Sequence, residues 1–524
     1  MTIERIKTSW RASLPFLFDG LWIVLDLAPT FGHGRKMMRR DWRDDRIDEL
    51  EAQIAQLRGQ LAERDRLITE LTAQVAELRE QIRQSSQNSS KPPSSDPPWL
   101  LRGPKKAPSG RKPGGQPGHP KHKRTLLPPE SVDETHDVWP THCHSCQKPL
   151  GSGVAKEVGE VVRHQVIELP KVRARVTEYR LHMQVCAFCK EATSACIPRG
   201  VSTSCFGPRL TAVVALCSGV YRLSKRTTCA LLSDLFHVDM ALGSVTSCEQ
   251  QSSGVLAEPV AEARRYVAAQ SVAYADETGW RQARARAWVW VAVTSWVTIF
   301  LIHVHRSAEA ARELLGRFSG ILVSDRWSAY LGWPLAKRQL CWAHLIRYFK
   351  AFSECRGDAR AIGEKLLALT HDMFHAWHRV RDGTLARSTF RANMRPVQAE
   401  IERLLEEGSR CGHSKVEATC RDILELAPAL WTFVRVEGVE PTNNAAERAL
   451  RWCVLMRKTS FGTHSEAGSR FIERMLTVAA TLRQQRRNVV DYVTDALERS
   501  LQGSAIPSLL PSDDIMSQAT PLAA

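Results

Sequence analysis

The sequence predicts a multidomain α/β protein, and three observations carry that prediction. A heptad pattern runs from Ile47 to Ile82, two C-x₂-C knuckles stand at Cys143 to Cys146 and Cys186 to Cys189, and strand-like segments between 271 and 324 flank a single amphipathic helix. With 524 residues and 43% apolar content, the chain can bury the cores of about three or four units. A formal charge of +16 suits a partner rich in phosphate, although an anionic membrane or plain solubility would be served equally well.

Residues 1–40 fit no element downstream and remain an unassigned N-terminal extension. Their apolar stretch from Leu14 to Pro29 is broken by Pro15, Asp19 and Asp26. It falls short of the roughly 20 apolar residues that span a bilayer and ends in no clear cleavage pattern. The expected location is cytoplasmic, associated with DNA and not with membrane, so the 14 cysteines read as thiols or metal ligands and not as a disulfide framework.

Over 41–84 the a positions are Ile47, Ile54, Leu61, Ile68, Val75 and Ile82, and the d positions are Leu50, Leu57, Arg64, Leu71 and Leu78. Mostly β-branched residues at a with Leu at d favour a parallel two-stranded coiled coil, hence a homodimer, with Arg64 interrupting the seam. An amphipathic helix packed on its own domain would carry a similar stripe. The segment 85–130 then reads as a disordered linker, polar and proline-rich from Ser85 to Asp96, leading into a basic arm. Arg102, Lys105, Lys106, Arg111, Lys112, Lys121, Lys123 and Arg124 lie there without an acid between them. Such an arm can follow a phosphate backbone, and a solvated linker would have the same composition.

The unit 131–200 holds Cys143, Cys146, Cys186 and Cys189, separated by alternating strand-like sequence. Four thiolates from two knuckles make a closed tetrahedral site for one structural Zn²⁺, the pattern of a zinc ribbon. His142 and His144 flank the first knuckle as alternative ligands. Residues 201–268 read as helices, with Ser224 and Ser244 as N-caps on either side of a short glycine-containing turn; this pattern fits a helix-turn-helix and equally a helical bundle.

Residues 269–460 form the expected catalytic core. Strands at Ser271 to Ala275, Ala287 to Thr294 and Val297 to His305, a helix from Ala308 to Phe318 and a strand from Gly320 to Ser324 match the opening of an RNase H-like fold, with a helical insertion at about 345–430. Asp276 follows the first strand, Asp325 the fourth, and Glu447 lies on a later helix. Each has an ordinary explanation, since Asp276 and Asp325 can cap turns and Asn444 with Glu447 fits a capping box. Together they form an oxygen-ligand set suited to Mg²⁺ and to two-metal phosphodiester chemistry. Glu277 should point away from Asp276 by strand alternation. Arg451 shares a helix face with Glu447, and residues 461–500 and 501–524 read as a helical segment and a disordered tail.

These motifs resemble those of transposases of the insertion sequence 66 family, a DDE-type group. The resemblance runs from residue 47 to about Leu497. It rests on the segment Asn88 to Ser95, Gly114 to His119, the two knuckles, Asp276-Glu-Thr278, Ser324-Asp325, Cys341-Trp-Ala-His344 and Asn443-Asn-Ala-Ala-Glu-Arg448. It implies that Asp276, Asp325 and Glu447 are the catalytic triad, with Asp276 bridging two Mg²⁺ ions and the other two completing one each. His344, Asn443, Asn444, Arg448, Arg451 and Glu277 would support them. It further implies cutting at element ends, transfer of the 3′-hydroxyl to target DNA, and small accessory proteins from the same element. Two other functions fit the same residues: an RNase H-like nuclease that cuts without joining, and a zinc-containing DNA-binding protein with an inactive core.

Overall fold

A computed structural model describes residues 42–89, 96, 124–150, 161–513 and 516. The N-terminal extension and the arm residues Lys105, Lys106, Arg111, Lys112, Lys121 and Lys123 lie outside the described residues, and Arg124 is exposed. The chain divides into two units, residues 1–83 and 84–524. In the first, the heptads form one helix, α1 (Trp42–Arg83), whose apolar a and d side chains are exposed along its whole length.

The second unit opens with a correction to the expected linker. Ser85 is buried, Lys350 Nζ donates to Gln87 Oε1 at 2.9 Å, and Asn88 Nδ2 donates to Glu354 Oε2 at 2.8 Å. Polar residues too poor in carbon to build a core are here fixed by hydrogen bonds. Further on, the exposed hairpin β1 (Met183–Val185) and β2 (Ala192–Ser194) carries the second knuckle at its tip.

Four helices follow: α2 (Pro208–Gly219), α3 (Lys225–Phe236), α4 (Leu242–Val255) and α5 (Ala257–Ala268). Ser224 caps α3, its Oγ accepting from Thr227 N at 3.0 Å. Ser244 does not cap α4; the helix already begins at Leu242 after Ala241, and Gly243 lies within it.

The core sheet has the order β5-β4-β3-β6-β7. Strands β3 (Val272–Gln282), β4 (Ala285–Val293) and β5 (Thr298–His303) are antiparallel neighbours; β6 (Ile321–Ser324) and β7 (Arg338–Leu340) add in parallel after helix α6 (Ala308–Leu315). Strand β3 does not end at Ala275. It continues through Asp276 to Gln282 because β4 pairs with it to the hairpin tip. That tip is clamped by the loop after α12 (Asn444–Ser460), where Thr463 N donates to Arg281 O at 2.9 Å. Gly462 makes this approach possible: its φ is +119°, and a Cβ there would lie 2.2 Å from Arg281 O. Gly462→Ala should therefore cost roughly 2 kcal/mol or more, read as a lowered denaturant midpoint.

Helices α7 (Trp342–Ser353), α8 (Asp358–Arg381), α9 (Arg387–Gly408) and α10 (Ser414–Glu425), with the short α11 (Thr432–Arg435), form the helical stretch between β7 and α12. Helices α13 (Glu466–Gln484) and α14 (Val489–Gln502) complete the fold. They are not an appendage. Glu473, Thr477 and Thr481 of α13 accept hydrogen bonds from the backbone N–H groups of Ile302, Phe300 and Thr298 on the edge strand β5. Four helical residues advance about 6 Å and two strand residues about 6.6 Å, so the spacings match and the helix closes the edge. The expected tail is also partly built in, since Leu509 is buried and Ser508 Oγ donates to Glu262 Oε1 at 2.9 Å.

Burial pushes the Glu473 carboxyl up to about 7 from its ordinary 4.5, against the pull of Arg470. Because the folded protein holds that proton more tightly than the unfolded chain, this contribution to stability is complete below about pH 4.5 and is lost as pH rises through about 7. Glu473→Gln keeps an acceptor for Ile302 and removes the titration. It should flatten the stability profile across that window by roughly 3 kcal/mol, checked by urea unfolding at several pH values.

Candidate active site

The parallel register brings the first two carboxylates together. Val272, Ala273 and Tyr274 of β3 lie opposite Ile321, Leu322 and Val323 of β6. Continued two residues, that register sets Asp276 opposite Asp325, on the same face as Tyr274 and Val323. Beyond this point β3 stays with β4, whereas the chain leaves β6 in a turn where Asp325 Oδ1 accepts from Trp327 N at 2.9 Å. Buried Arg338 on β7 supports the turn, donating to the Asp325 carbonyl at 3.2 Å.

Glu447 arrives on α12, and Asn443 fixes that helix to the sheet. Fully buried, Asn443 donates from Nδ2 to Ala275 O at 2.8 Å, one residue before Asp276. Its backbone N–H donates to Cys341 Sγ at 3.1 Å. The capping box expected of Asn444 and Glu447 is therefore absent. Asn443 is the N-cap residue, Asn444 is already helical and exposed, and the cap side chain is spent on β3.

The turn from β7 into α7 supplies a third wall. His344 Nδ1 lies 3.6 Å and Arg347 Nη2 3.8 Å from Glu447 Oε1. Cys341, His344 and Glu447 offer ligand atoms within 4.8 Å of one another. Burial lowers the His344 pKa and so favours the neutral ring, while burial pushes the Cys341 thiol up to about 12 and keeps it protonated. Arg448 and Arg451 lie exposed on α12, while Arg347 forms an ion pair with Glu447 and the His344 ring stands beside it.

Asp276 is held well above the usual carboxylate range, first by burial and then by the charges of Glu277, Asp325 and Glu447. Glu277 lies under the opposite face of the sheet. Its Oε1 pairs with Arg306 at 2.7 Å and its Oε2 accepts from Tyr330 at 2.7 Å. Arg347 and Cys341 were not singled out as site residues by sequence reasoning. Helical spacing from His344 would have placed Arg347 on the same face of α7.

The donor set fits hard divalent cations. Asp325 and Glu447 both act electrostatically on Asp276, although the three carboxylates are not gathered as closely as Cys341, His344 and Glu447, and Glu447 Oε1 and His344 Nδ1 are buried without hydrogen-bond partners. The knuckles have the chemistry for Zn²⁺. In each, the first cysteine's N–H and carbonyl close the turn, and the residue after the second cysteine is left-handed, Gln147 at φ 58° and Lys190 at φ 60°. N–H groups from Cys146 and Ser145 lower the Cys143 thiol pKa, and those from Cys189 and Phe188 lower that of Cys186. The four sulfurs are not themselves gathered as closely as Cys341, His344 and Glu447.

Comparison with known proteins adds an independent line. Residues 203–470 match the family described as Transposase IS66 family, and residues 39–125 match a family of unknown function. Among curated proteins, the chain is similar to the uncharacterized protein y4qI of Sinorhizobium fredii, at 29% identity over 226 residues, covering 39% of this chain and 41% of that protein. The chain thus spans about two-fifths of that relative's length. The matched family segment runs from just before α2 into α13 and contains every residue of the carboxylate site. The chain belongs to the transposase IS66 family.

Proposed function

We propose that the chain is a DDE-type DNA transposase that cuts the ends of a bacterial insertion element and transfers the resulting 3′-hydroxyls to target DNA. The observation that supports this reading is the register of β3 and β6, which continued by two residues leads Asp276 and Asp325 toward one another, with Asn443 tying the start of Glu447's helix to β3. The strand order, antiparallel through β5-β4-β3 and parallel through β3-β6-β7, supports an RNase H-like core.

Asp276, Asp325 and Glu447 would hold two Mg²⁺ ions, which when bound stabilise the attacking and leaving oxygens of an in-line phosphodiester displacement. The chain's own residues fix the geometry. Asn443 sets the height of α12 above β3, Arg347 pairs with Glu447 beside neutral His344, and Arg338 holds the turn that aims Asp325. Arg306 pairs with Glu277 and Tyr330 donates a hydrogen bond to it beneath the strand, leaving it a supporting role. Neither a covalent enzyme nucleophile nor a nucleotide is required.

Cys143, Cys146, Cys186 and Cys189 would hold one structural Zn²⁺ in a ribbon, and the helices from 201 to 268 would help grip the element ends. The exposed heptad seam of α1 supports pairing with a second copy, which would bring two ends into one complex. Accessory proteins of the element belong to the same reading.

The test is incubation of the purified protein with Mg²⁺ and DNA carrying the element's own ends, with accessory proteins supplied. Cleavage leaving 3′-hydroxyls followed by joined products is expected. Cleavage without joining would identify a nuclease, and binding without either would identify an inactive DNA-binding protein.

A further inference from the structure

A cavity of about 840 Å³ is lined by Val272 and Tyr274 of β3 and by residues of α12 and α13. Tyr274, two residues before Asp276, is part of its lining, as are Arg448 and Trp452 of α12, Arg483 of α13 and Arg381 of α8. The lining carboxylate, Glu440, is already engaged, accepting from Trp377 Nε1 at 3.0 Å and lying 3.8 Å from Arg381 Nε.

The rim has a distinct chemistry. The Arg483 guanidinium lies 5.2 Å from the Trp452 ring and 5.8 Å from Tyr221, and Arg222 lies 6.0 Å from Trp452. Trp452 and Tyr221 remain 40% and 48% exposed. Arg222 is held in the left-handed region at φ 64°, and its Nε is buried without a hydrogen-bond partner. That conformation is unfavourable for a side chain of this size and is imposed by the turn that ends α2. Gly219 allows α2 this close to α13, since a Cβ there would meet Met475 at 2.9 Å.

Part-exposed aromatic rings with arginine guanidinium groups lying over them pair stacking surface for bases with cations for phosphates, the combination that holds unpaired nucleic acid. A duplex keeps its base faces stacked and presents mainly its backbone to such a groove. Trp452 follows Glu447 by five residues, about 7.5 Å along the α12 axis and about 140° around it, so α12 carries the groove and Glu447 on different sides.

We propose that this groove, on the other side of α12 from Glu447, binds an unpaired stretch of DNA, stacking a base on Trp452 while Arg448 and Arg483 engage its phosphates. The inference rests on the chain being a DNA-processing protein. It assigns the groove a preference for single strands.

Fluorescence anisotropy of the full chain with a labelled single-stranded oligonucleotide, and with its duplex, tests it. Trp452→Ala should weaken single-strand binding about tenfold and leave duplex binding within about twofold; Trp452→Phe should retain most of the affinity. Arg483→Gln leaves the indole in place. It should also weaken single-strand binding and lower its salt slope by about 1. Circular dichroism of each variant separates loss of binding from loss of fold. Equal losses on both DNA forms, or unchanged single-strand binding in folded Trp452→Ala and Arg483→Gln proteins, would overturn the groove proposal. Failure of the unaltered protein to bind either form would overturn both this proposal and the DNA-processing reading on which it rests.

Discussion

Asp276→Asn should abolish Mg²⁺-dependent cleavage and joining, lowering the rate by at least about 10³-fold, because several kcal/mol of charge stabilisation are lost from the reacting phosphate. The same substitution should make the metal-free protein more resistant to heat. Burial and the charges of Glu277, Asp325 and Glu447 raise the Asp276 pKa, so the ionised carboxylate opposes folding. The sign follows from linkage: a carboxyl raised in the folded state favours folding while protonated, and that contribution is lost as pH rises through its folded value. Asparagine removes the penalty. Thermal unfolding should therefore show two changes together, a higher midpoint without metal and a smaller gain when Mg²⁺ is added. A variant that lost activity and also lost stability without metal would point to a structural role for Asp276.

Asn443→Ala should have the opposite effect on stability. Asn443 touches no reacting group on this account; it holds α12 against Ala275 and so sets where Glu447 stands relative to Asp276. Removing its side chain leaves the Ala275 carbonyl buried without that donor, at a cost of about 1 to 3 kcal/mol. The shift of Glu447 should reduce cleavage by roughly 10²-fold, the scale of a 1 Å misplacement in a catalytic group. Unfolding and cleavage assays on the same preparation distinguish the two variants. Asp276→Asn loses rate while gaining stability, whereas Asn443→Ala loses both.

The elements most legible in the sequence were those with strong periodicity. The heptads gave α1, the apolar runs gave β4, β5 and β6, and the capping serine gave the start of α3. Strand β3 was read too short because Thr278-Gly-Trp-Arg-Gln282 has the composition of a turn. Its pairing with β4 and the clamp from Gly462 hold it extended. Strand β7 escaped notice because Arg338 and Gln339 are polar. Both are nevertheless buried, and Gln339 is satisfied by the Leu430 carbonyl and the Phe433 N–H. The integration of α13 was invisible for a related reason: Glu473, Thr477 and Thr481 read as a polar stripe and are in fact the acceptors for a strand edge.

At the site, position at strand ends and on a later helix, together with the family resemblance, points to the three carboxylates, but neither supplies the register that leads Asp276 toward Asp325. Nor does either choose between Asn443 and Asn444. Both asparagines suit a helix start, and the choice depends on which side chain reaches a strand carbonyl remote in sequence. Cys341 and Arg347 were hidden because their proximity to Glu447 depends on how α7 and α12 meet.

Binding of Mn²⁺, followed by electron paramagnetic resonance in the unaltered protein and in Asp276→Asn, Asp325→Asn and Glu447→Gln, tests most directly whether these carboxylates form one cation site. The account predicts saturable binding to the unaltered protein and a marked loss of affinity or stoichiometry in each variant, largest for Asp276→Asn. Unchanged binding in all three folded variants would contradict it.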